Sequence, residues 1–119
     1  MHATTEPATV WILDANLGTR VRCKGFRVAG LPPEAEGVEL VVHLYPGTHP
    51  PEYRVTEAST GMGVGGYAWT AEEAVADCDG KISRLPERDG LQGWARLPGI
   101  IVEVLAGPNF VPIPEEVEP

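Results

Sequence analysis

The stretch TAEEAVADCDGKISRL, residues 70–85, decides the fold class, because it carries a clear helical period. Thr70 followed three residues later by Glu73 matches a capping box, in which Thr70 accepts a hydrogen bond from the Glu73 N–H. Pro86 ends the helical stretch. Gly80 lowers the helix propensity of its middle, so a helix that ends at Asp79 is the alternative. Apolar side chains recur at steps that place them on one helix face: Ala71, Ala74, Val75, Cys78, Ile82 and Leu85. We therefore predict one main helix over residues 70–85.

Around this helix the chain has the pattern of short β-strands. Twelve prolines and fourteen glycines interrupt it, which disfavours long helices and favours strands joined by turns. VELVVHLY, residues 38–45, is almost continuously apolar, so we predict a central strand covered on both faces. Further strands are predicted at 9–13, 19–28, 53–58 and 100–105, with shorter candidates at 67–69 and 94–97. The predicted fold class is α+β, an antiparallel sheet of five to seven short strands with the helix packed on it.

The length of 119 residues fits a single domain. Residues 1–8 are predicted to be a disordered lead, residues 9–106 the folded domain, and residues 107–119 a proline-rich acidic tail. Turns are predicted at residues 14–18, where Asp and Asn precede a glycine, and over the glycine-rich residues 60–66.

Acidic residues outnumber basic ones by seventeen to nine, which gives a formal net charge of −8. This excess argues against direct nucleic-acid binding, which needs a basic surface. No apolar run is long enough for a membrane helix, and no basic and apolar signal segment opens the sequence, so we expect a cytoplasmic protein. The two cysteines, Cys23 and Cys78, are expected to be reduced thiols that are buried as small apolar groups.

The motifs of catalysis and cofactor binding are incomplete. GMGVGG, residues 61–66, matches the G-x-G-x-x-G pattern of dinucleotide-binding folds, but there the pattern follows a buried strand and opens directly into a helix. Here the preceding segment is polar, and the predicted helix begins several residues later. Histidines and cysteines lack the spacing of a metal site, and no serine lies in a nucleophile motif. We expect no cofactor, no metal and no catalytic residues.

Charge is divided unevenly along the chain. Residues 1–30 contain four bases and two acids, a net +2, whereas residues 31–119 contain five bases and fifteen acids, a net −10. Carboxylates spread over a small protein suit a basic groove on a partner. The helix contributes four candidate partner contacts, for which a solvated helix face is the plain alternative: Glu72, Glu73, Asp77 and Asp79.

The second predicted strand carries a basic stripe. Arg20, Arg22 and Lys24 alternate with Val21 and Cys23, so the three bases share one face of the strand. They are candidate contacts for an acidic partner or a phosphate backbone, or for a second copy of the chain in a homodimer. The plain alternative is a solvent-facing hairpin whose charges discourage edge pairing.

One part of the chain resembles a known group of proteins. YRVTEASTG at residues 53–61, Gly66, and TAEEAV at residues 70–75 form a strand ending in Thr-Gly, a return strand and a Thr-x-Glu-Glu-Ala helix. This order resembles small uncharacterised accessory proteins of bacteriophages and mobile elements. The resemblance implies a phage origin. Phage proteins of this size include inhibitors of bacterial defence, such as anti-CRISPR proteins, which are often acidic.

These features predict a non-enzymatic, acidic protein-binding module in the cytoplasm of a bacterial host. Its partner would be a protein with a basic surface, such as a nucleic-acid-handling defence complex that it inhibits. Two alternatives stay open. One is a structural or assembly protein that docks through an apolar surface, with Trp11, Trp69 and Trp94 as candidate anchors. The other is a small enzyme whose catalytic groups converge from distant positions.

Overall fold

The computed structural model describes residues 1–14 and 16–114. Five antiparallel strands form one sheet in the order β1-β2-β3-β4-β5, so each strand pairs with its neighbour in the chain. The predicted α+β class is confirmed. The strands are β1 (His2–Asp14), β2 (Thr19–Ala29), β3 (Leu40–Leu44), β4 (Tyr53–Glu57) and β5 (Met62–Ala68).

Two α-helices follow the sheet: α1 (Ala71–Ser83) and α2 (Leu97–Ala106). The Thr70 hydroxyl accepts a hydrogen bond from the Glu73 N–H at 3.1 Å, as the capping box predicts. Gly80 does not end α1, because the helix continues to Ser83. Short 3-10 helices cover Pro33–Ala35 and Gly93–Arg96.

The core lies on both faces of the sheet. On one face, α1 packs its apolar stripe, Ala74, Val75, Cys78 and Ile82, against side chains of β3 and β4 that include Leu40, Val42 and Val55. On the other face, Val41 of β3 packs with Val10, Ile12 and Cys23 of the β1–β2 hairpin. Since side chains of a strand alternate between faces, β3 is buried on both sides. The prediction of a central third strand is therefore correct.

The sheet curls so that its first and last strands approach each other. Gly61, directly before β5, lies against the Trp11 carbonyl oxygen of β1. A side-chain carbon at residue 61 would overlap with that oxygen, and the residue has a φ of 70°, which favours glycine. Gly61 therefore permits the contact that brings the β1–β2 hairpin over the start of β5.

Four sequence predictions differ from the structure. β1 begins at His2, so most of the predicted disordered lead is strand that pairs with β2. The glycine-rich turn is mostly strand β5, and the chain reverses over residues 58–61 instead. The predicted strand at 94–97 is a 3-10 helix that runs into α2, and the predicted strand at 100–105 lies within α2.

The first hairpin turn and the predicted acidic tail are each described only in part. Within the predicted turn, the Asp14 carboxylate accepts hydrogen bonds from the backbone N–H groups of Asn16 and Leu17, and Gly18 has a positive φ. Ala15 lies outside the described residues, as do residues 115–119 of the predicted acidic tail. Residues 108–114 form no helix or strand.

Candidate binding surfaces

The four acids of α1 do not form one free patch. Asp77 accepts hydrogen bonds from the Gly66 N–H at 2.8 Å and from the Lys81 ammonium at 2.9 Å. Burial works to raise the pKa of Asp77, but the hydrogen bonds from Lys81 and Gly66 outweigh it and hold the pKa below its usual range. Asp77 thus ties α1 to β5.

Asp79 is also committed inside the molecule. Its carboxylate accepts hydrogen bonds from the Trp94 indole N–H at 2.9 Å and from the Ser83 hydroxyl at 3.2 Å. Glu72 and Glu73, by contrast, are exposed in the first turn of α1. Of the predicted acidic contacts, these two have exposed side chains, whereas Asp77 and Asp79 form hydrogen bonds within the fold.

The basic stripe on β2 has the predicted alternation. Cys23 is buried, and Arg22 and Lys24 on either side of it are exposed. Arg20 has a structural role: it donates hydrogen bonds to the carbonyl oxygens of Val111 (2.7 and 3.2 Å) and Trp11 (3.1 Å). Its guanidinium also lies 5.4 Å from the centre of the Phe110 ring. Arg20 therefore anchors the segment after α2 to the first hairpin.

An apolar surface on α2 was missed by the sequence predictions. Glu103 is the one charged residue in the sequence of this ten-residue helix, and Leu97 is its one buried residue. Val102 is 64% exposed and Leu105 43% exposed. A helix that is apolar on almost every side is normally covered on every side. We call Ile101, Val102 and Leu105 the α2 surface.

Acidic residues border the α2 surface. A groove of about 460 Å³ beside the helix is lined by Pro98 and Ile101 of α2 and by residues 36–39, which include Glu36 and Glu39. Glu36 is exposed, whereas Glu39 is ion-paired with Arg27 at 3.0 Å. The apolar helix face therefore has a carboxylate rim on this side.

The three tryptophans do not form one exposed apolar surface. Trp94 is 7% exposed and belongs to the core, Trp11 is half-buried, and Trp69 is 63% exposed next to the start of α1. Of the predicted apolar anchors, Trp69 is the one with a largely exposed side chain.

A cleft of about 620 Å³ lies beside β5, between the end of β1, the end of α1 and the start of α2. We call it the β5 cleft. Its floor is formed by residues 61–65 and Tyr67. Its apolar walls consist of Ile12, Leu13, Ile82, Leu85, Leu97 and Ile100. The volume is within the range of small-molecule sites, which are mostly apolar with a few polar groups.

The polar groups of the β5 cleft are gathered around Arg54. Its guanidinium carbon lies 3.6 Å from the ring centre of Tyr45 and 4.3 Å from that of Tyr67, so the group is held between two aromatic rings. The Lys81 ammonium lies 4.8 Å from the Tyr67 ring centre. Tyr67 has a φ of 63°, a conformation that costs a non-glycine residue of order 1 kcal/mol. Such strain is concentrated at functional sites in proteins.

The partners of these cations lie outside the cleft lining. Glu52 is 3.3 Å from an Arg54 terminal nitrogen, and Asp77 is 2.9 Å from the Lys81 ammonium, but neither carboxylate lines the cleft. The Arg54 Nε is buried, and among the described residues no acceptor lies within hydrogen-bond distance of it. The cleft lining therefore carries two cations and one unsatisfied donor.

His43 is buried next to this group, behind Thr56. Its Nε2 lies 2.7 Å from the Thr56 hydroxyl and its Nδ1 3.0 Å from the Leu44 carbonyl oxygen, so a neutral ring with the proton on Nδ1 satisfies both bonds. Burial lowers the pKa of His43; the bond to Leu44 opposes this shift and the positive charge of Arg54 adds to it.

We expect the protein to lose stability as the pH falls below about 6.5, the usual pKa of histidine. The unfolded chain binds a proton at His43 near that pH, whereas the folded protein does so only at lower pH, so acid favours unfolding. Urea unfolding of the wild type and of His43→Gln at about pH 7.5 and 5.5 measures this. The variant should lose less stability between the two values, and equal losses would contradict the assignment.

Both cysteines are buried free thiols, as the sequence predicts. Burial, with the nearby Asp79 and Asp77 carboxylates, raises the pKa of Cys78 to about 12, and burial raises the pKa of Cys23. Neither thiol is poised for nucleophilic chemistry. Within residues 1–14 and 16–114, no three His, Cys, Asp or Glu side chains are grouped as metal ligands, and no helix is long and apolar enough to cross a membrane.

Comparison with known proteins identifies no relative. No protein-family model matches the chain, and neither the curated proteins nor the solved structures contain a significant match to it. The resemblance to phage accessory proteins stays a prediction from the sequence.

Proposed function

We propose that this protein is a non-enzymatic protein-binding module that docks through α2 into an apolar groove bordered by basic side chains. The observation that carries this proposal is the exposure of Val102 and Leu105, beside the half-buried Ile101, on a helix with a single charged residue. Exposed apolar groups next to one another are typical of protein interfaces, in which a helix lies in a groove of its partner.

The charge of the molecule supports a basic partner. Glu36 and Glu39 border the α2 surface, and the whole chain carries a net charge of −8. Complementary charges at the rim of an interface raise the association rate and select the partner. A groove that normally holds nucleic acid is bordered by basic side chains, so a phage-encoded inhibitor of a bacterial nucleic-acid-handling complex is the specific form of the proposal.

A photo-crosslinking residue placed at Val102 tests where the partner binds. The matched control is the same residue at Trp69, which is equally exposed but lies at the start of α1. Crosslinking in lysate of the source cells, followed by mass spectrometry, should yield one protein from position 102 and not from position 69. Capture from position 69 alone would favour Trp69 as the anchor and overturn the proposal.

Binding measurements with the purified partner then test the proposal quantitatively. We expect Val102→Asp to weaken binding by at least about tenfold, because it places a carboxylate at the centre of the apolar contact. Glu36→Lys should weaken binding at about 0.1 M salt and have less effect at about 0.5 M, where charges are screened. Unchanged binding by Val102→Asp would contradict the proposal. So would a homodimer of the wild type that Val102→Asp dissociates, since the α2 surface would then be occupied by a second copy.

A further inference from the structure

We propose that the β5 cleft binds a small organic carboxylate whose apolar body lies between α1, α2 and β1 and whose carboxylate meets Arg54 and Lys81. This site is separate from the α2 surface, and the proposal does not depend on the docking function. It rests on the juxtaposition of apolar walls with two cations in one cleft.

The walls of the β5 cleft favour a ligand with an apolar body. Ile12 and Leu13 of β1 face the cleft from one side, and Ile82, Leu85, Leu97 and Ile100 of the helices face it from the other. Gly63 lines the floor without a side chain, and nothing lies within 4 Å of where its Cβ would be, which leaves room for a ligand against the strand backbone. A cleft of about 620 Å³ accommodates a chain or ring of roughly ten heavy atoms with space for water.

The cationic groups of Arg54 and Lys81 favour a ligand with a carboxylate end group. Arg54 is fixed in place by Tyr45 and Tyr67, so its planar donors are already oriented before a ligand arrives. A carboxylate pairs with a guanidinium through two parallel N–H donors, and the unsatisfied Nε of Arg54 is one such donor. The Tyr67 ring, which stacks on the guanidinium, is largely exposed, and the Lys81 ammonium lies beside the same ring.

The arrangement disfavours a metal ion and a neutral ligand. Glu52 and Asp77 pair with these cations but do not line the cleft, so the charged groups that line the cleft are the positive ones. A neutral ligand of the same shape would gain the apolar contact but would leave the Nε of Arg54 unsatisfied. The ligand class is therefore an anion with an apolar body.

Octanoate and octan-1-ol are probes that differ only in the charged end group. Titration of the ¹⁵N-labelled protein, followed by amide chemical shifts, gives both the affinity and the location of binding. We expect octanoate to bind about tenfold more tightly than octanol, with the largest shifts at Gly63, Gly65 and Tyr67. Equal affinities, or shifts confined to Val102 and Leu105 on the α2 surface, would overturn the proposal.

Three variants separate the carboxylate contact from a general effect of charge. Arg54→Gln should abolish the preference for octanoate over octanol, and Lys24→Gln, which removes one charge from an exposed site outside the cleft, should retain it. Gly63→Val should reduce binding of both probes at least about tenfold, because open space surrounds residue 63 and the new side chain would occupy the cleft. If Arg54→Gln does not fold, Gly63→Val still tests whether the probes bind in the cleft. Unchanged binding of both probes by that variant would refute the site.

Discussion

Replacing Gly65 with alanine is expected to lower the free energy of unfolding by about 3 kcal/mol, the cost of a buried clash together with a strained backbone. A Cβ at this residue would lie 2.5 Å from the Cα and 2.8 Å from the Cβ of Cys78 in α1. These are backbone and core atoms, which cannot move aside as the end of a flexible side chain can. The φ of Gly65, 155°, is also one that L-residues rarely adopt. Alanine therefore forces α1 away from β5.

Gly63→Ala is the matched control, since it lies in the same strand two residues earlier. Residue 63 has an ordinary φ, and nothing lies within 4 Å of an added Cβ. This variant should be as stable as the wild type or up to about 1 kcal/mol more stable, because glycine is unfavourable within a strand. Urea unfolding of the three proteins measures the difference. Equal stabilities for the two variants would show that α1 does not pack closely on Gly65.

Trp94→Ala is expected to cost about 4 kcal/mol of unfolding free energy, as for other large aromatic residues removed from a core. The indole packs in the core between α1 and the sheet and donates its N–H to Asp79. The variant therefore creates a cavity and removes a hydrogen bond that joins the segment before α2 to α1. Asp79→Ala should cost about 2 kcal/mol, since the indole N–H stays buried without its acceptor.

The control for Trp94 is Trp69→Ala. Trp69 is mostly exposed, and its replacement should change the free energy of unfolding by less than about 0.5 kcal/mol. Thermal and urea unfolding followed by far-UV circular dichroism report on both variants without relying on tryptophan fluorescence. A large loss in Trp69→Ala with little change in Trp94→Ala would contradict the positions of the two rings.

The elements with a clear pattern of apolar residues, α1 and β3, were predictable from the sequence. α1 has an N-capping threonine, a continuous apolar stripe and a terminating proline, and all three signals lie within the local sequence. The central position of β3 follows from a run of apolar residues that only a strand covered on both faces can bury. In both elements, local preference and packing favour the same structure.

The misassigned segment, residues 100–105, shows where such reasoning fails. A short apolar run that contains Ile and Val has the composition of a strand, and a run of this length does not distinguish a strand from a helix. The helical spacing appears only when Leu97 is included, since Leu97, Ile100, Ile101 and Val104 fall at steps of three, one and three. Pro98 is also well placed in the first turn of a helix, where its missing N–H is not needed.

The candidate sites depend on contacts that sequence patterns do not report. In the sequence, Asp77 and Asp79 look like part of a charged helix surface. In the structure, the Asp77 carboxylate accepts a hydrogen bond from Gly66, and the Asp79 carboxylate accepts one from Trp94, fifteen residues further along the chain. The two rings around Arg54 come from Tyr67 of β5 and from Tyr45, directly after β3, so the register of the sheet brings them together. Neither pairing leaves a local motif that could be recognised in advance.

The strand order has a consequence for how the chain acquires its structure. Each strand pairs with the one made just before it, so closing the sheet requires only short loops, which cost little chain entropy and permit rapid folding. During synthesis the sheet can therefore form in the order of translation, before α1 and then α2 leave the ribosome. The helix with the most exposed apolar surface is thus synthesised after the sheet and α1, so the core against which Leu97 and Ile101 pack can already be present when α2 emerges.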